Sequence, residues 1–186
     1  MAHFNETIDV KLEIGGAPYQ LMRCAIHEQL SEIGWLTCEL TLEGGAPDPE
    51  PLLGEPTVLS IVVRKSSIRR DFHGLVVEAV RCADASGRPL VRARVAPRLW
   101  RLGKRSDCRI FQDMTTQDIV TKVLEEAGVP AGDQEWSLSS SYEPRVFCCQ
   151  YRETDFQLMS RLLAEEGIFF SVTHDGDADK ILLTDE

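Results

Sequence analysis

VFCCQYRETDFQLMSRLLAEEGIFF, residues 146–170, decides how this chain is read, because a strand-like run passes there into a capped helix that stops at a glycine. Val146, Phe147, Cys148 and Cys149 form the extended apolar run. Thr154 is followed three residues later by Gln157, the spacing of a capping box, in which two side chains satisfy backbone N–H groups that a helix start leaves unpaired. Phe156, Leu158, Met159, Leu162 and Leu163 recur at the spacing of one buried helical face, and Arg161, Glu165 and Glu166 take the opposite one. Gly167 supplies the left-handed residue that ends a helix. Residues 168–172 return at once to a strand pattern, so the helix is expected as a short crossover or cap on a sheet.

Outward from this stretch, the same grammar appears once more upstream. Arg109 to Gln112 is extended, Thr115 and Asp118 are spaced as a second capping box, and Ile119, Val120, Val123, Leu124 and Ala127 form an apolar stripe. Gly128 and Pro130 stop that helix. Residues 132–143 are polar and serine-rich, with one short strand expected near Trp136. Downstream, residues 168–172 and 180–184 read as a hairpin around the turn at residues 175–179.

Before residue 115 the pattern is β throughout. Ile8, Val10, Leu12 and Ile14 alternate with Thr7, Asp9, Lys11 and Glu13, the period of a half-buried strand. Gly15 and Gly16 turn it into a return strand at residues 19–26, and residues 35–42 alternate again. Residues 44–56 hold four of the nine prolines and three glycines, a loop that cannot continue a sheet. Residues 58–63 are apolar on both faces, as in a strand covered on both sides. Strands at 72–82 and 90–95 complete a set of short strands separated by turn signals, the signature of a small barrel. The expected class is mainly β with two short helices, built on small antiparallel barrels. Residues 1–102 are expected as a first β-barrel domain, and residues 103–186 as a second part with both helices and further strands, an incomplete second barrel.

At 186 residues the chain is long enough to bury roughly 70% of its unfolded surface. No apolar run approaches the ~18 residues of a membrane span, and the first residues lack the basic-then-apolar order of a signal peptide. Synthesis in the cytoplasm is therefore expected. The six cysteines (Cys24, Cys38, Cys82, Cys108, Cys148 and Cys149) sit mostly in apolar strand contexts without a regular framework, which suits reduced, buried thiols. The net charge of −10 is uneven: residues 64–109 carry 13 Lys/Arg against 4 Asp/Glu, a local +9. That asymmetry asks for a partner. Arg92 and Arg94 fall on one strand face, with Val91, Ala93 and Val95 on the other, and together with Arg98 they are the candidate subunit interface.

Reaction chemistry finds little support. A nucleophilic Cys148 or Cys149 would need a nearby base and an electropositive setting, and these residues lie in an apolar run. His3, His27, His73 and His174 show no metal-ligand spacing, and there is no CxxC. Asp175, Asp177, Asp179 and Glu186 match four positions of a calcium loop, but Lys180 stands where the sharp turn needs glycine. No catalytic residue, metal or cofactor is expected. The arginines are also compatible with a nucleic-acid-binding barrel, although only Trp100 offers a stacking aromatic among Arg88 to Arg109.

QYRETDF followed by SRLLAEEGIFF resembles the signature of the VgrG family, the spike proteins of bacterial type VI secretion, and of related hubs in contractile phage tails. HEQLSEIGWLTCELTL, LLGEPTVLSI, DFHGLVVEA and ARVAPRLWRLGKRSDCRIFQDMTTQDIVTKVL resemble further segments of that family in the same order, from His27 onward. The resemblance implies the hub-like N-terminal part of a spike: a homotrimer with two related barrels per subunit that caps the Hcp tube hexamer. It also implies contacts with baseplate and effector or adaptor proteins, and export by the type VI machinery without a signal peptide. A phage-tail or extracellular injection-particle hub is the near alternative. Neither nucleic acid nor a membrane span belongs to this reading.

Overall fold

The computed structural model describes residues 8–64 and 68–186, so Thr7, the first outward position expected of the opening strand, lies outside the described residues. Six strands close into one barrel: β1 (Ile8–Ile14), β2 (Ala17–His27), β3 (Trp35–Thr41), β4 (Pro56–Val63), β5 (Ile68–Ala83) and β6 (Pro89–Ala96). Their order around the wall is β1-β2-β3-β6-β5-β4, and every neighbouring pair is antiparallel. Closure comes from β1 pairing β4 along its whole length, Ile8 opposite Val63 through Ile14 opposite Thr57. A closed wall leaves no strand edge to recruit other chains. Register shifts between Leu21 and Arg23 and between Val76 and Glu78 mark bulges, which add the twist that closure needs.

The alternation in the sequence sets the inside of the barrel. Leu12, Ile14, Leu36, Cys38, Leu40, Leu59, Phe72, Val91, Ala93 and Val95 are buried together. A short 3-10 turn at Glu50–Leu52 delivers Leu52 into the same core, so the proline-rich loop is also a plug. β4 is not covered on both sides as its apolar run suggested. Leu59 is fully buried, whereas Val58 and Val62 line an open surface cavity with Lys11 and Arg69. Arg69 instead lies across this outer face, its Nη2 donating to Ser60 Oγ at 3.3 Å.

The second unit is built on helices α1 (Thr116–Glu126) and α2 (Asp155–Glu165). Both capping boxes form: Thr115 Oγ1 accepts from the Asp118 N–H, and Thr154 Oγ1 from the Gln157 N–H, each at 3.1 Å. Gly128 (φ 88°) and Gly167 (φ 71°) take the left-handed conformation that ends each helix. Strands β7 (Ser106–Met114) and β9 (Arg145–Thr154) form a two-stranded antiparallel ribbon, while β8 (Gln134–Ser137), β10 (Phe169–Thr173) and β11 (Lys180–Thr184) form a separate sheet. The described strands of this unit do not close, because β8 joins β11 in parallel and the ribbon stays apart. Ile119, Val123, Leu124, Leu158, Leu162, Phe170 and Leu183 are among the residues of its core.

The two compact units interleave along the chain. The first takes residues 1–28, Gly34–Pro97 and His174–Asp179, and the second takes Gln29–Ile33, Arg98–Thr173 and Lys180–Glu186. The sequence placed a single division at 102/103. In the structure a 3-10 segment at Arg98–Lys104 buries Leu99 and Leu102 in the second core, so the change falls before Arg98. Two excursions have local causes. The Ser31 N–H donates to Phe170 O at 2.8 Å and Ile33 packs on the second core. The His174 ring lies 4.4 Å from that of Phe72, and its Nδ1 accepts the His73 N–H at 3.0 Å. Burial pushes the His174 imidazole down, which keeps Nδ1 free to accept.

Gly74, on β5 opposite Thr57, has no room for a side chain, since a Cβ there would sit 2.6 Å from Ala96 O. Gly74→Ala is expected to destabilise the barrel by about 1–3 kcal/mol. Urea unfolding followed by circular dichroism measures this, and an unchanged midpoint would mean that the β5–β6 wall yields more easily than its packing indicates.

Candidate assembly surface

The QYRETDF signature spans the end of β9 and the start of α2, and two of its polar residues, Gln150 and Asp155, are turned inward. Asp155 is fully buried. Its Oδ1 accepts from Arg109 Nη2 at 2.8 Å and from Gln150 Nε2 at 2.9 Å, and its own N–H donates to Arg105 O at 3.0 Å. Arg109 also donates to Gln150 Oε1 and to Glu126 Oε2, both at 2.6 Å. Arg105 reaches the same Glu126 oxygen at 2.6 Å and stands 3.5 Å from Asp155 Oδ2. Burial pushes the Glu126 carboxyl up, but hydrogen bonds from Arg109 and Arg105 outweigh it and hold the group below its ordinary value. One network thus ties β7, β9 and the ends of both helices together.

A second cluster fixes the end of the described chain. Asp185 accepts from the Ser139 N–H (2.7 Å), the Ser140 N–H (3.0 Å) and Tyr142 Oη (2.9 Å). The Ser139 N–H is the main reason its carboxyl is held far below the usual aspartate range.

The outward face of the ribbon is of another kind. Cys108, Ile110 and Gln112 on β7 stand beside Phe147, Cys149 and Tyr151 on β9, and all six are exposed and uncharged. Ile110 is 65%, Phe147 65% and Tyr151 66% exposed, and neighbouring Val146 80%. Ile110, Phe147 and Tyr151, three large side chains on one face of the ribbon, form a patch, and contiguous exposed apolar patches mark contact surfaces. At one end Arg152 is the extra residue of a bulge, at φ 53°, with its guanidinium 5.2 Å from the Tyr151 ring. The inward face carries Phe111, Cys148 and Gln150.

This arrangement corrects the reading of the cysteines. Cys148 is buried as expected, but Cys149 and Cys108 are exposed, because successive residues of a strand face opposite ways and only one face of the ribbon has a core behind it. Neither thiol gains a base, since the second unit contains no histidine. Burial raises the Cys148 thiol. Among the described residues no cluster of His, Cys, Asp and Glu is arranged to hold a metal, and no helix is long and apolar enough to cross a membrane.

The three arginines singled out in the sequence do not act as one group. Arg92 and Arg94 project from the outer face of β6, opposite buried Val91, Ala93 and Val95. Arg92 pairs with Glu39 at 2.8 Å, and Arg94 stands 3.9 Å from Glu78 with its guanidinium 5.8 Å from the Trp35 ring. Arg98 belongs to the second unit, where it pairs with Asp133 at 2.8 Å and donates to Gly128 O. Most of the wider basic segment is paired in the same way. Arg64, Arg69, Arg70, Arg81, Arg88, Arg105 and Arg109 each have a carboxylate partner within the chain, which weakens a nucleic-acid reading that needs free cations.

A closed barrel, a helical unit with a bare apolar ribbon and arginines spent on internal pairs describe an assembly module. The chain belongs to the phage tail baseplate hub family, whose model matches residues 27–186. It is similar to the type VI secretion spike proteins VgrG1c and VgrG1b of Pseudomonas aeruginosa, at 34% identity over 96% and 100% of this chain. It spans about a quarter of the length of these curated relatives, 24% and 25%. Among solved structures, the E. coli c3393 protein, a type VI secretion component described as similar to the phage T4 tail proteins gp27 and gp5, superposes with a TM-score of 0.83 at 28% identity. That match covers 95% of this chain and 49% of c3393. The 43 kDa tail protein of prophage MuSo2 from Shewanella oneidensis shares the fold, with a TM-score of 0.71 at 17% identity over 95% of this chain and 53% of its own. The family is one of structural hubs.

Asp155→Ala leaves Arg109 and Gln150 facing a void and is expected to cost about 3–5 kcal/mol of unfolding free energy, more than Asp155→Asn, which keeps the shape and one acceptor. Equal losses in urea titrations of the two variants would show that the charge is not what matters. The depressed carboxyls of Asp185 and Glu126 predict an acid dependence. Their contribution is complete above the ordinary values of 3.8 and 4.5, and is lost as the pH falls through the lower folded-state values, because the unfolded chain then binds protons that the folded chain does not. Thermal scans from pH 6 to pH 2 should show a smaller fall in midpoint for Asp185→Asn than for the wild type.

Proposed function

We propose that this chain serves as the hub part of a type VI secretion spike, a ring of three copies that caps the Hcp tube and is fired with its effectors from the cytoplasm. The carrying observation is the uncharged ribbon face of β7 and β9 on a chain of net charge −10. Copies that repel each other elsewhere meet no charge penalty there, and a neighbouring copy is the occupant we assign to it. Similarity to VgrG spikes over nearly the whole chain supports the type VI setting. The match to phage baseplate hubs supports, as the second reading, the same mechanical role in a phage tail or extracellular injection particle. The Arg92 and Arg94 face is proposed as a second subunit contact, weaker because both side chains already have acidic neighbours.

Light scattering across a concentration series tests the ring. The mass is expected to rise toward three copies, and Phe147→Glu with Tyr151→Glu should hold the chain at one copy while its circular dichroism is unchanged. A single-copy mass at every concentration for the wild-type chain would overturn the neighbouring-copy assignment. Arg92→Glu with Arg94→Glu should lower the association constant about tenfold. An unchanged constant removes that face from the interface. Co-sedimentation with Hcp distinguishes the type VI reading from the phage-like one.

A further inference from the structure

We propose that Cys24 and Cys38 are a latent disulfide, closed across β2 and β3 when the protein meets a low-molecular-weight disulfide. The two residues are direct register partners on neighbouring antiparallel strands. Directly opposed residues have Cα atoms roughly 4.5–5.5 Å apart, inside the roughly 4.4–6.8 Å window that a disulfide spans. They also point to the same side of the sheet, and here that side is the barrel interior: Cys38 is fully buried and Cys24 packs on the same core. Both are thiols in the structure.

Access is asymmetric, and the asymmetry gives the reaction an order. Cys24 is half-buried beside the bulge between Leu21 and Arg23. Cys38 is fully buried, and its Sγ lies 3.7 Å from Ala93 O. The Cys24 thiolate therefore attacks the small disulfide, forming a mixed disulfide and releasing one small thiolate. The Cys38 thiolate then attacks the Cys24 sulfur, forming the cross-strand bond and releasing the second. Two electrons and two protons pass from the protein to the reagent. Burial pushes the Cys38 thiol up to about 12 and raises Cys24 as well, so closure is slow near neutrality and quickens with pH.

The bond would close a loop of 15 residues, counting both cysteines, whose tip, Gln29–Ile33, is part of the second unit. It thus anchors the root of that excursion in the barrel wall. A chain that leaves a reducing compartment would gain the staple only after departure.

The test uses the full chain, reduced and then incubated with oxidised glutathione at pH 8.5, in a Cys108→Ser, Cys149→Ser background that removes the exposed thiols. Expected are a mass lower by two hydrogens, a linked peptide pair containing Cys24 and Cys38, and a melting midpoint higher by about 5 °C. The rise should vanish with Cys24→Ser. Two results overturn the proposal: a glutathione adduct that persists at Cys24, or both thiols still alkylatable after denaturation. Peptide mapping of the protein with both thiols intact decides the matter even where Cys38 substitutions fail to fold.

Discussion

The buried carboxylate of Asp155 is the point on which the second unit turns. A charge removed from water is tolerated only when it is paired and hydrogen-bonded, and here Arg109 and Gln150 donate to it from β7 and β9 while the Arg105 guanidinium stands 3.5 Å away in the turn before β7. Because Asp155 is also the first residue of α2, its negative charge sits at the positive end of that helix's dipole. Glu126, at the end of α1, shares both arginines. Ribbon and helices are thereby held in one arrangement, and the ribbon's outer face is presented bare.

The surface chemistry follows from how the arginines are used. Twenty Lys and Arg against thirty Asp and Glu leave acid in excess, and the basic segment is absorbed by acids from distant parts of the chain. Arg64 meets Asp9, Arg70 meets Glu28 and Arg81 meets Asp48. The ribbon face of β7 and β9 stands apart from this charge pairing, since its six outward residues are uncharged.

Much of this was legible in advance, for identifiable reasons. Capping boxes, stop glycines and alternation are local signals, and both helices and the barrel strands lie where those signals put them. The family signature was legible too: its buried Gln150 and Asp155 belong to one network, and Thr154 beside Asp155 caps α2. The register that closes β1 on β4 was not legible, since nothing local specifies partners about 50 residues apart. The exposure of Cys149 was missed because an apolar run such as VFCC looks the same whether one face or both are covered. The clue was in the alternation itself: Phe147, Cys149 and Tyr151 share a face, and the sequence offers that face no second layer. The change of compact unit before Arg98 has no local signal, because Leu99 and Leu102 serve the second core from a 3-10 segment that has no periodic signature of its own.

The interleaving of the two units also sets a timetable. A ribosome releases the six barrel strands first, and they can pair among themselves as soon as Ala96 has emerged. The piece that meets the His73 N–H, residues His174–Asp179, appears only after both helices and every strand of the second unit except β11 have been made. Until then the first unit waits with one backbone donor open, and its completion coincides with the last step of the second, when β11 follows directly behind.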